Sequence, residues 1–231
     1  MQKSFHFSKK LKAKQVFTMD FIPKAIQEYA ERHSSAEPEV LYDLNRQTHL
    51  KVLKPRMLSG HLQGRLLSLI SHMIKPQLIV EIGTYTGYSA LCLAEGLAEN
   101  GRLITIDVNE ELKGFAESFF QKADMQDRIQ MLIGHAADII PTLPGSIDLA
   151  FIDADKKNYR LYYDLLLPKM RPGGFLLADN VLWSGKVVDA SQAKDPATRS
   201  IMEFNEYVSR DPRVEKVLLP IRDGIYLIRK K

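Results

Sequence analysis

The sequence has little cysteine and no long apolar run, and both absences narrow the classes of protein that it can encode. Only one of its 231 residues is cysteine, Cys92, so an internal disulfide is excluded and we expect a reducing, cytoplasmic location. No run of about 18 apolar residues occurs, so we expect neither a transmembrane helix nor a membrane partner. Residues 1–17 lack the apolar centre of a secretory signal. The composition, 45% hydrophobic and 26% charged, is that of a globular chain long enough for one α/β domain.

The positive charge of the chain is concentrated at its two ends. A net charge of +4 and a pI near 9.0 are by themselves typical of a nucleic-acid-binding protein. Residues 1–17, however, carry five lysines and no acid, and residues 229–231 carry three further positive charges, which leaves residues 18–228 at −4. We therefore predict a basic N-terminal extension over residues 1–19 and a single, mildly acidic domain over residues 20–231.

The first part of that domain, residues 20–75, has the apolar spacing of helices. One helix is predicted over residues 23–32, with Ile26, Tyr29 and Ala30 on one apolar face and Pro23 in its first turn. A second begins near Val40, and a third covers residues 62–73 and ends before Pro76.

After residue 77 short apolar runs alternate with helical segments. The runs predicted as strands are residues 78–82, 103–106, 129–133, 147–152 and 175–178. Helices are predicted over residues 89–97, 110–123, 138–142, 158–170 and 197–209, and a turn over residues 172–174. This alternation is typical of an α/β fold with a doubly wound, mostly parallel, Rossmann-like sheet. Residues 216–221 and 225–229 flank an Asp-Gly pair, which predicts a C-terminal antiparallel hairpin.

Carboxylates stand at the carboxyl ends of four predicted strands, where ligands bind in sheets of this kind. Glu81 lies near the end of the first strand, and Asp107, Asp153 and Asp179 follow the second, fourth and fifth. One such carboxylate often only caps a helix. Four along one edge repel one another unless a cation or hydrogen-bond donors are present. The pattern indicates a positively charged ligand, a metal ion, or both.

The turn after the first strand contains two glycines, Gly83 and Gly87, and Ser89, which can cap the next helix or donate a hydrogen bond. Its Gly-x-x-x-Gly spacing differs from the Gly-x-Gly-x-x-Gly of dinucleotide enzymes. The carboxylate of Glu81 suits an ammonium or sulfonium group better than a pyrophosphate, and Asp107 stands where such folds place an acceptor for ribose hydroxyls. The combination favours S-adenosylmethionine, with a tight turn that binds no ligand as the alternative.

A second group of polar residues follows the fourth and fifth strands. Asp153, Asp179 and Asn180 are brought towards one point and offer only oxygen ligands, which select a hard divalent cation. Mg²⁺ is expected first, and Mn²⁺ or Ca²⁺ stay open. Lys156, three residues after Asp153, can reach over such an ion, which would lower its pKa and let it act as a base. A solvated loop lysine is the alternative.

Three segments together resemble the cation-dependent O-methyltransferases related to caffeoyl-CoA and catechol O-methyltransferases. They are residues 80–90 (VEIGTYTGYSA), 151–159 (FIDADKKNY) and 179–187 (DNVLWSGKV). The resemblance runs from about Tyr29 to the C-terminus. It implies a class I methyltransferase fold, S-adenosylmethionine as cofactor, a catechol-like or phenolic small-molecule acceptor, and a homodimer.

The resemblance also implies roles for individual residues. The implied cofactor contacts are Ser59, Glu81, Gly83, Thr84, Ser89, Asp107, Ala136, Asp153 and Asp155. The implied metal ligands are Asp153, Asp179 and Asn180, and the implied catalytic residues are Lys156, as base, and Asp153. Trp183 resembles an aromatic wall for a planar acceptor, with an ordinary core tryptophan as the alternative. Ser184 replaces an asparagine frequent in plant members, which disfavours a coenzyme-A ester as acceptor.

The expected reaction is in-line transfer of a sulfonium methyl group to a hydroxyl group. Three alternatives stay open. The same chemistry could act on a hydroxylated uridine in tRNA, with the lysine-rich ends contacting phosphates. A nicotinamide-dependent oxidoreductase is disfavoured by the missing third glycine. A non-catalytic binding module would depend on the basic N-terminal extension.

Overall fold

The structure, a computed structural model, describes residues 22–231, so the predicted extension over residues 1–19 lies outside the described residues. The helices are α1 (Lys24–Arg32), α2 (Glu39–Lys51), α3 (His61–Ile74), α4 (Tyr88–Ala94), α5 (Lys113–Lys122), α6 (Ala136–Ile139), α7 (Tyr159–Lys169) and α8 (Pro196–Arg210). The strands are β1 (Leu78–Ile82), β2 (Arg102–Asp107), β3 (Ile129–Ile133), β4 (Ile147–Ile152), β5 (Met170–Asp179), β6 (Val214–Leu219) and β7 (Ile225–Lys230).

The seven strands form one sheet in the order β3-β2-β1-β4-β5-β7-β6. Strands β1 to β5 pair in parallel, whereas β7 runs antiparallel to both β5 and β6. The predicted doubly wound sheet with a C-terminal hairpin is therefore confirmed. Every residue of β1 and β4 is buried, as expected for central parallel strands covered on both faces. The strand order reverses between β1 and β4, and at such a point the loops separate and leave a crevice.

An apolar layer covers each face of the sheet. On one face Tyr159, Tyr163 and Phe204 from α7 and α8 meet edge to face. On the other face α2, α3, α4 and α5 contribute buried side chains such as Leu44, Leu67 and Phe120. The predicted N-terminal helices thus complete the second layer. Helix α1 is present as predicted, but it buries no residue.

Two local predictions were wrong. Residues 172–174, predicted as a turn, lie inside β5, where Met170 pairs with Ile147 and Phe175 with Leu149. Between these two pairs the chain advances by five residues in β5 but by only two in β4. The extra residues of β5, which include the Pro-Gly-Gly segment, form an irregularity in the strand pairing. Helix α4 ends at Ala94 instead of residue 97. At Gly96 the chain passes so close to α3 that an added Cβ would lie 2.2 Å from the His72 amide nitrogen.

No helix between residues 22 and 231 combines the length and the apolar character that crossing a bilayer demands.

Candidate functional site

The glycine turn after β1 lies directly against the end of β4. Gly83 has φ +98°, and a Cβ on it would lie 2.0 Å from the Asp153 carbonyl oxygen. The amide of Asp153 in turn donates to the carbonyl of Ile82 at 2.9 Å. Because only glycine fits both this conformation and this close approach, the sequence at Gly83 brings two predicted site residues into contact.

The carboxylate of Asp107, at the end of β2, fastens the glycine turn. Its Oδ2 accepts the backbone N–H groups of Thr84 at 3.0 Å and Tyr85 at 2.8 Å, and its Oδ1 accepts that of Asn109 at 2.9 Å. A carboxylate has about four acceptor positions, so these bonds leave room for a further donor. The predicted contact with ribose hydroxyls stays a prediction, and the structure adds a positioning role.

Glu81, inside β1, is a fully buried carboxylate that is only half satisfied. Its Oε2 accepts the hydroxyl of Thr105 at 2.6 Å, and that hydroxyl lies 2.6 Å from the hydroxyl of Thr84. Its Oε1 has no hydrogen-bond partner within residues 22–231. Burial raises the pKa of Glu81 to about 8. A buried oxygen without a donor fits a ligand that brings an N–H, an O–H or a positive charge.

The other predicted cofactor residues differ in their placement. Ser89 is buried in the first turn of α4, Ala136 begins α6 just after β3, and Ser59 is buried in the segment before α3. Asp155 is exposed, and its two oxygens accept from the Tyr162 hydroxyl at 2.5 Å and the Asn158 amide at 2.6 Å. These bonds hold the Asp155 side chain against Asn158 and Tyr162, and its predicted cofactor contact stays a prediction.

Lys156 joins the predicted metal ligands. Its Nζ donates to Oδ1 of Asp153 at 3.0 Å, to Oδ1 of Asn180 at 2.6 Å and to the hydroxyl of Tyr159 at 2.6 Å. All three donors of the ammonium group are thereby used. The two oxygens predicted to bind a cation already face one positive charge.

Asp179 is buried beside this cluster with both carboxylate oxygens occupied. Oδ1 accepts the amide N–H of Asn180 at 2.7 Å, and Oδ2 accepts the side-chain amide of Gln63 at 2.6 Å. Burial, and then the neighbouring Asp153 carboxylate, raise the pKa of Asp179. Burial also raises the pKa of Tyr159, so its hydroxyl stays protonated and donates to the Asp179 carbonyl at 3.0 Å.

The segment after β5 turns sharply at the edge of this cluster. Asn180, Trp183 and Ser184 have φ values of +58°, +47° and +53°, a left-handed conformation that costs free energy for residues other than glycine. Trp183 is half-buried, and its ring centre lies 5.8 Å from Nζ of both Lys156 and Lys186. The strained backbone thus places Trp183, which is predicted to contact the methyl acceptor, next to Lys156, the predicted base.

Sequence reasoning missed Gln63, Tyr159 and Arg222, which all bond to site residues or to one another. One signal for Gln63 was available: it shares the buried face of α3 with Leu67 and Ile70. A polar residue on an apolar helix face must find a buried partner. For Arg222 the pattern carried no signal, because its contacts depend on how a hairpin loop folds back.

The cation site predicted from the sequence contains two carboxylates and one amide. Within residues 22–231 no group of three or more histidine, cysteine, aspartate or glutamate side chains is arranged to hold a metal ion. A cavity of about 780 Å³ lies elsewhere, along α8. Its arginines include Arg199 and Arg213, and Arg213 is paired with Asp211 at 2.6 Å.

Comparison with known proteins gives a consistent result. Residues 31–231 match the protein family described as O-methyltransferase. The caffeoyl-CoA O-methyltransferase of Mesembryanthemum crystallinum is 36% identical over 181 residues, which cover 73% of this chain and 70% of that protein. Probable caffeoyl-CoA O-methyltransferase 2 of Dictyostelium discoideum is 33% identical over 211 residues, covering 89% of this chain and 91% of that protein.

Solved structures of similar fold carry the same kind of name. The O-methyltransferase of Bacillus cereus in complex with SAH has a TM-score of 0.81 at 29% identity, covering 90% of this chain and 97% of that one. The O-methyltransferase TomG of Streptomyces achromogenes in complex with SAM has a TM-score of 0.83 at 27% identity, covering 90% and 96%.

Proposed function

Because this chain belongs to the O-methyltransferase family and is an S-adenosylmethionine-dependent O-methyltransferase, we propose that it methylates a hydroxyl of a catechol-like or phenolic small molecule with the help of a divalent cation. The observation that carries the proposal is the convergence of Asp153 and Asn180 on one positive charge. That charge, Nζ of Lys156, lies 3.0 and 2.6 Å from their oxygens and beside the Trp183 ring.

The donor set fits a hard cation. Asp153, Asp179 and Asn180 supply carboxylate and amide oxygens, the ligands that Mg²⁺ and Mn²⁺ prefer. The spacing between Asp153 and Asn180 already suits a positive charge, held at present by Lys156. When bound, the cation would lower the pKa of the acceptor hydroxyl and favour two adjacent oxygens, as in a catechol.

Lys156 is the residue that we propose as the base. Its Nζ must lose a proton before it can accept one from the acceptor hydroxyl, because all three of its N–H groups are donors in this arrangement. The protonated hydroxyl of Tyr159 accepts a hydrogen bond from Nζ and itself donates one to the Asp179 carbonyl. When a cation takes the oxygens of Asp153 and Asn180, the Tyr159 hydroxyl would remain as a fixed contact for the lysine side chain, and such alignment lowers the entropic cost of the transfer.

The cofactor side of the site is proposed around β1. The unpartnered Oε1 of Glu81 lies where a cationic or hydroxyl-bearing portion of S-adenosylmethionine would supply the missing donor. Gly83, Thr84, Ser89, Asp107 and Ala136 belong to the same edge of the sheet, at the ends of β1, β2 and β3. The contacts predicted for Ser59, Asp153 and Asp155 stay proposals on the same footing.

The acceptor class rests on Trp183 and on the names of the relatives. A half-buried indole next to Lys156 suits stacking against a planar ring. The relatives are named for caffeoyl-CoA and, in Vitis vinifera, for flavonoid methylation. The tRNA alternative depends on the lysine-rich ends, and residues 1–19 at the N-terminal end lie outside the described residues.

We further propose a homodimer formed through the N-terminal helices. Helices α1 to α3 and the segments joining them expose large apolar side chains, among them Leu53 at 88%, Met73 at 76% and Leu50 at 67%. Such a concentration of exposed apolar side chains on one part of a molecule is typical of an interface. Residues 20–231 as one domain, and a cytoplasmic location from the single cysteine, stay predictions.

The experiment that tests the function is a methyl-transfer screen with Mg²⁺ and labelled S-adenosylmethionine. The acceptors are catechols, hydroxycinnamates, flavonoids and undermethylated tRNA. We expect transfer to compounds with two adjacent ring hydroxyls and none to their mono-deoxy counterparts. Transfer confined to tRNA would overturn the small-molecule assignment.

A further inference from the structure

We propose that Gln63 is a positioning residue for Asp179 and that Arg222 holds Gln63 in the orientation this requires. The inference rests on the proposed function, since it concerns a residue proposed there as a metal ligand. The three side chains come from distant parts of the chain: α3, the end of β5, and the loop between β6 and β7. They form a short hydrogen-bonded chain that ends on the carboxylate.

The direction of each hydrogen bond in this chain is fixed by chemistry. Nη1 of Arg222 lies 2.9 Å from Oε1 of Gln63, and a guanidinium can only donate. The oxygen of the Gln63 amide therefore faces Arg222, so its nitrogen faces Oδ2 of Asp179, 2.6 Å away. Arg222 and the carboxylate thus select the same orientation of the amide, and without Arg222 only the carboxylate does so.

Burial makes this hydrogen bond important for the orientation of Asp179. Gln63 is 1% exposed and Asp179 is 3% exposed, so water has little access to either group. The carboxylate is held at both oxygens, by the Asn180 amide on Oδ1 and by Gln63 on Oδ2. Removing the Gln63 donor frees the carboxylate to rotate and leaves Oδ2 without that partner. Partners of this kind orient metal ligands and raise metal affinity.

The loop that carries Arg222 also holds the segment after Asp179. The carbonyl of Asp223 accepts the amide of Leu182 at 2.9 Å, and its carboxylate accepts the amide of Ser184. Arg222 itself lies against the segment before α3, with Nη1 3.4 Å from the Leu58 carbonyl. The β6–β7 loop thus fixes both Gln63 and the strained turn, although it contributes no proposed ligand.

The test is the Mn²⁺ affinity of the full-length protein, measured by electron paramagnetic resonance without S-adenosylmethionine. The variants are Gln63→Met, which keeps the length of the side chain but cannot donate, Arg222→Met, and the double variant. We expect Gln63→Met to weaken Mn²⁺ binding about tenfold or more, because the loss of a hydrogen-bond partner of a metal ligand commonly has an effect of this size. We expect Arg222→Met to weaken it less, and to have no further effect when Gln63 is already methionine.

The controls separate this role from loss of folding. Gln47→Met removes a Gln-to-Asp hydrogen bond of the same kind, 3.2 Å long, on α2 and should bind Mn²⁺ as the wild type does. All variants should keep their thermal shift with S-adenosylhomocysteine. If Gln63→Met does not fold, Arg222→Met still tests the proposal, because it leaves Gln63 in place.

Three results would overturn the inference, each in a different way. Wild-type Mn²⁺ affinity in both Gln63→Met and Arg222→Met would overturn the positioning role while leaving the metal site intact. If the wild type shows no Mn²⁺ binding that the Asp179→Asn substitution abolishes, the proposed metal site is overturned, and the positioning role with it. An additive effect of Arg222→Met in the Gln63→Met background would overturn the claim that Arg222 acts through Gln63.

Discussion

Nζ of Lys156 lies 2.6 Å from Oδ1 of Asn180, a residue 24 positions further along the chain. The contact joins the ends of β4 and β5, which are parallel neighbours in the sheet. Parallel strands place their carboxyl ends at one edge, so residues that follow them meet there in spite of their separation in sequence. In this protein the residues that meet are Lys156 and the oxygen-bearing side chains of Asp153 and Asn180, and this arrangement underlies the proposed chemistry.

Replacing Lys156 by methionine should lower kcat for methyl transfer by a factor of about 100 or more, because general-base catalysis commonly contributes that much. Methionine retains most of the length of the side chain but neither donates nor accepts a proton strongly. The measurement is steady-state kinetics with a catechol and Mg²⁺. Lys157→Met, at the exposed neighbouring position, is the matched control and should keep the wild-type kcat. An unchanged kcat in Lys156→Met would exclude this lysine as the base.

Gly83→Ala should destabilise the protein by more than about 2 kcal/mol, because steric overlap and a strained backbone act together. The added Cβ would lie 2.0 Å from the Asp153 carbonyl oxygen, at a φ of +98°. Gly114→Ala is the control: it lies in α5 with nothing within 4 Å of its Cβ. That change should stabilise the helix by about 0.5–1 kcal/mol. The free energies of unfolding of both variants are measured by urea denaturation. Equal changes in this free energy for Gly83→Ala and Gly114→Ala would contradict the close approach of the β1 turn to the end of β4.

The stability of the ligand-free protein should fall as pH rises, and Glu81 should account for part of the slope. Burial raises the pKa of Glu81 from 4.5 to about 8, so between these values the folded protein keeps a proton that the unfolded chain releases. The contribution of Glu81 to the free energy of unfolding is therefore complete below about pH 4.5 and is lost as pH rises through 8. Melting temperatures of the wild type and Glu81→Gln, compared from pH 5 to 8.5, measure it. Identical slopes for the two proteins would refute the assignment.

Trp183→Leu should raise KM for the phenolic acceptor more than it lowers kcat, because a stacking surface contributes to binding of the ring before and during transfer. Affinity for S-adenosylhomocysteine should stay at the wild-type value. The measurements are acceptor kinetics and calorimetry. Tyr29→Leu, an exposed aromatic residue on α1, is a control for general loss of aromatic surface. If only kcat changes, or if the cofactor dissociates, the tryptophan is a structural residue.

The sequence predicted the sheet better than it predicted the site. Strands such as β1 and β4 are continuous apolar runs that only a covered parallel sheet can bury, so their positions were readable from pattern alone. The residues following them could be placed at one edge for the same reason. Gln63 and Arg222 could not, because their partners lie 116 and 159 positions away in the chain.

Asp155 shows what a resemblance to a family leaves open. The motif around it resembles that of the family and predicts a cofactor contact, and the structure adds hydrogen bonds from Tyr162 and Asn158 on the adjacent helical segment. Resemblance assigns a role to a position but does not reveal its hydrogen-bond partners within the protein, so the cofactor contact of Asp155 stays a prediction. The strained turn over Asn180, Trp183 and Ser184 was likewise invisible, since backbone conformation in a loop follows from its contacts.

The measurement that tests the central claim most directly is methyl transfer to a catechol before and after removal of divalent cations. The full-length protein is assayed with Mg²⁺, then in excess EDTA, then with Mg²⁺ restored above the chelator. We predict turnover in the first condition, loss to background in the second and recovery in the third, with no recovery in Asp179→Asn. Full turnover in excess EDTA would contradict the proposal that Asp153, Asp179 and Asn180 hold a cation for this reaction.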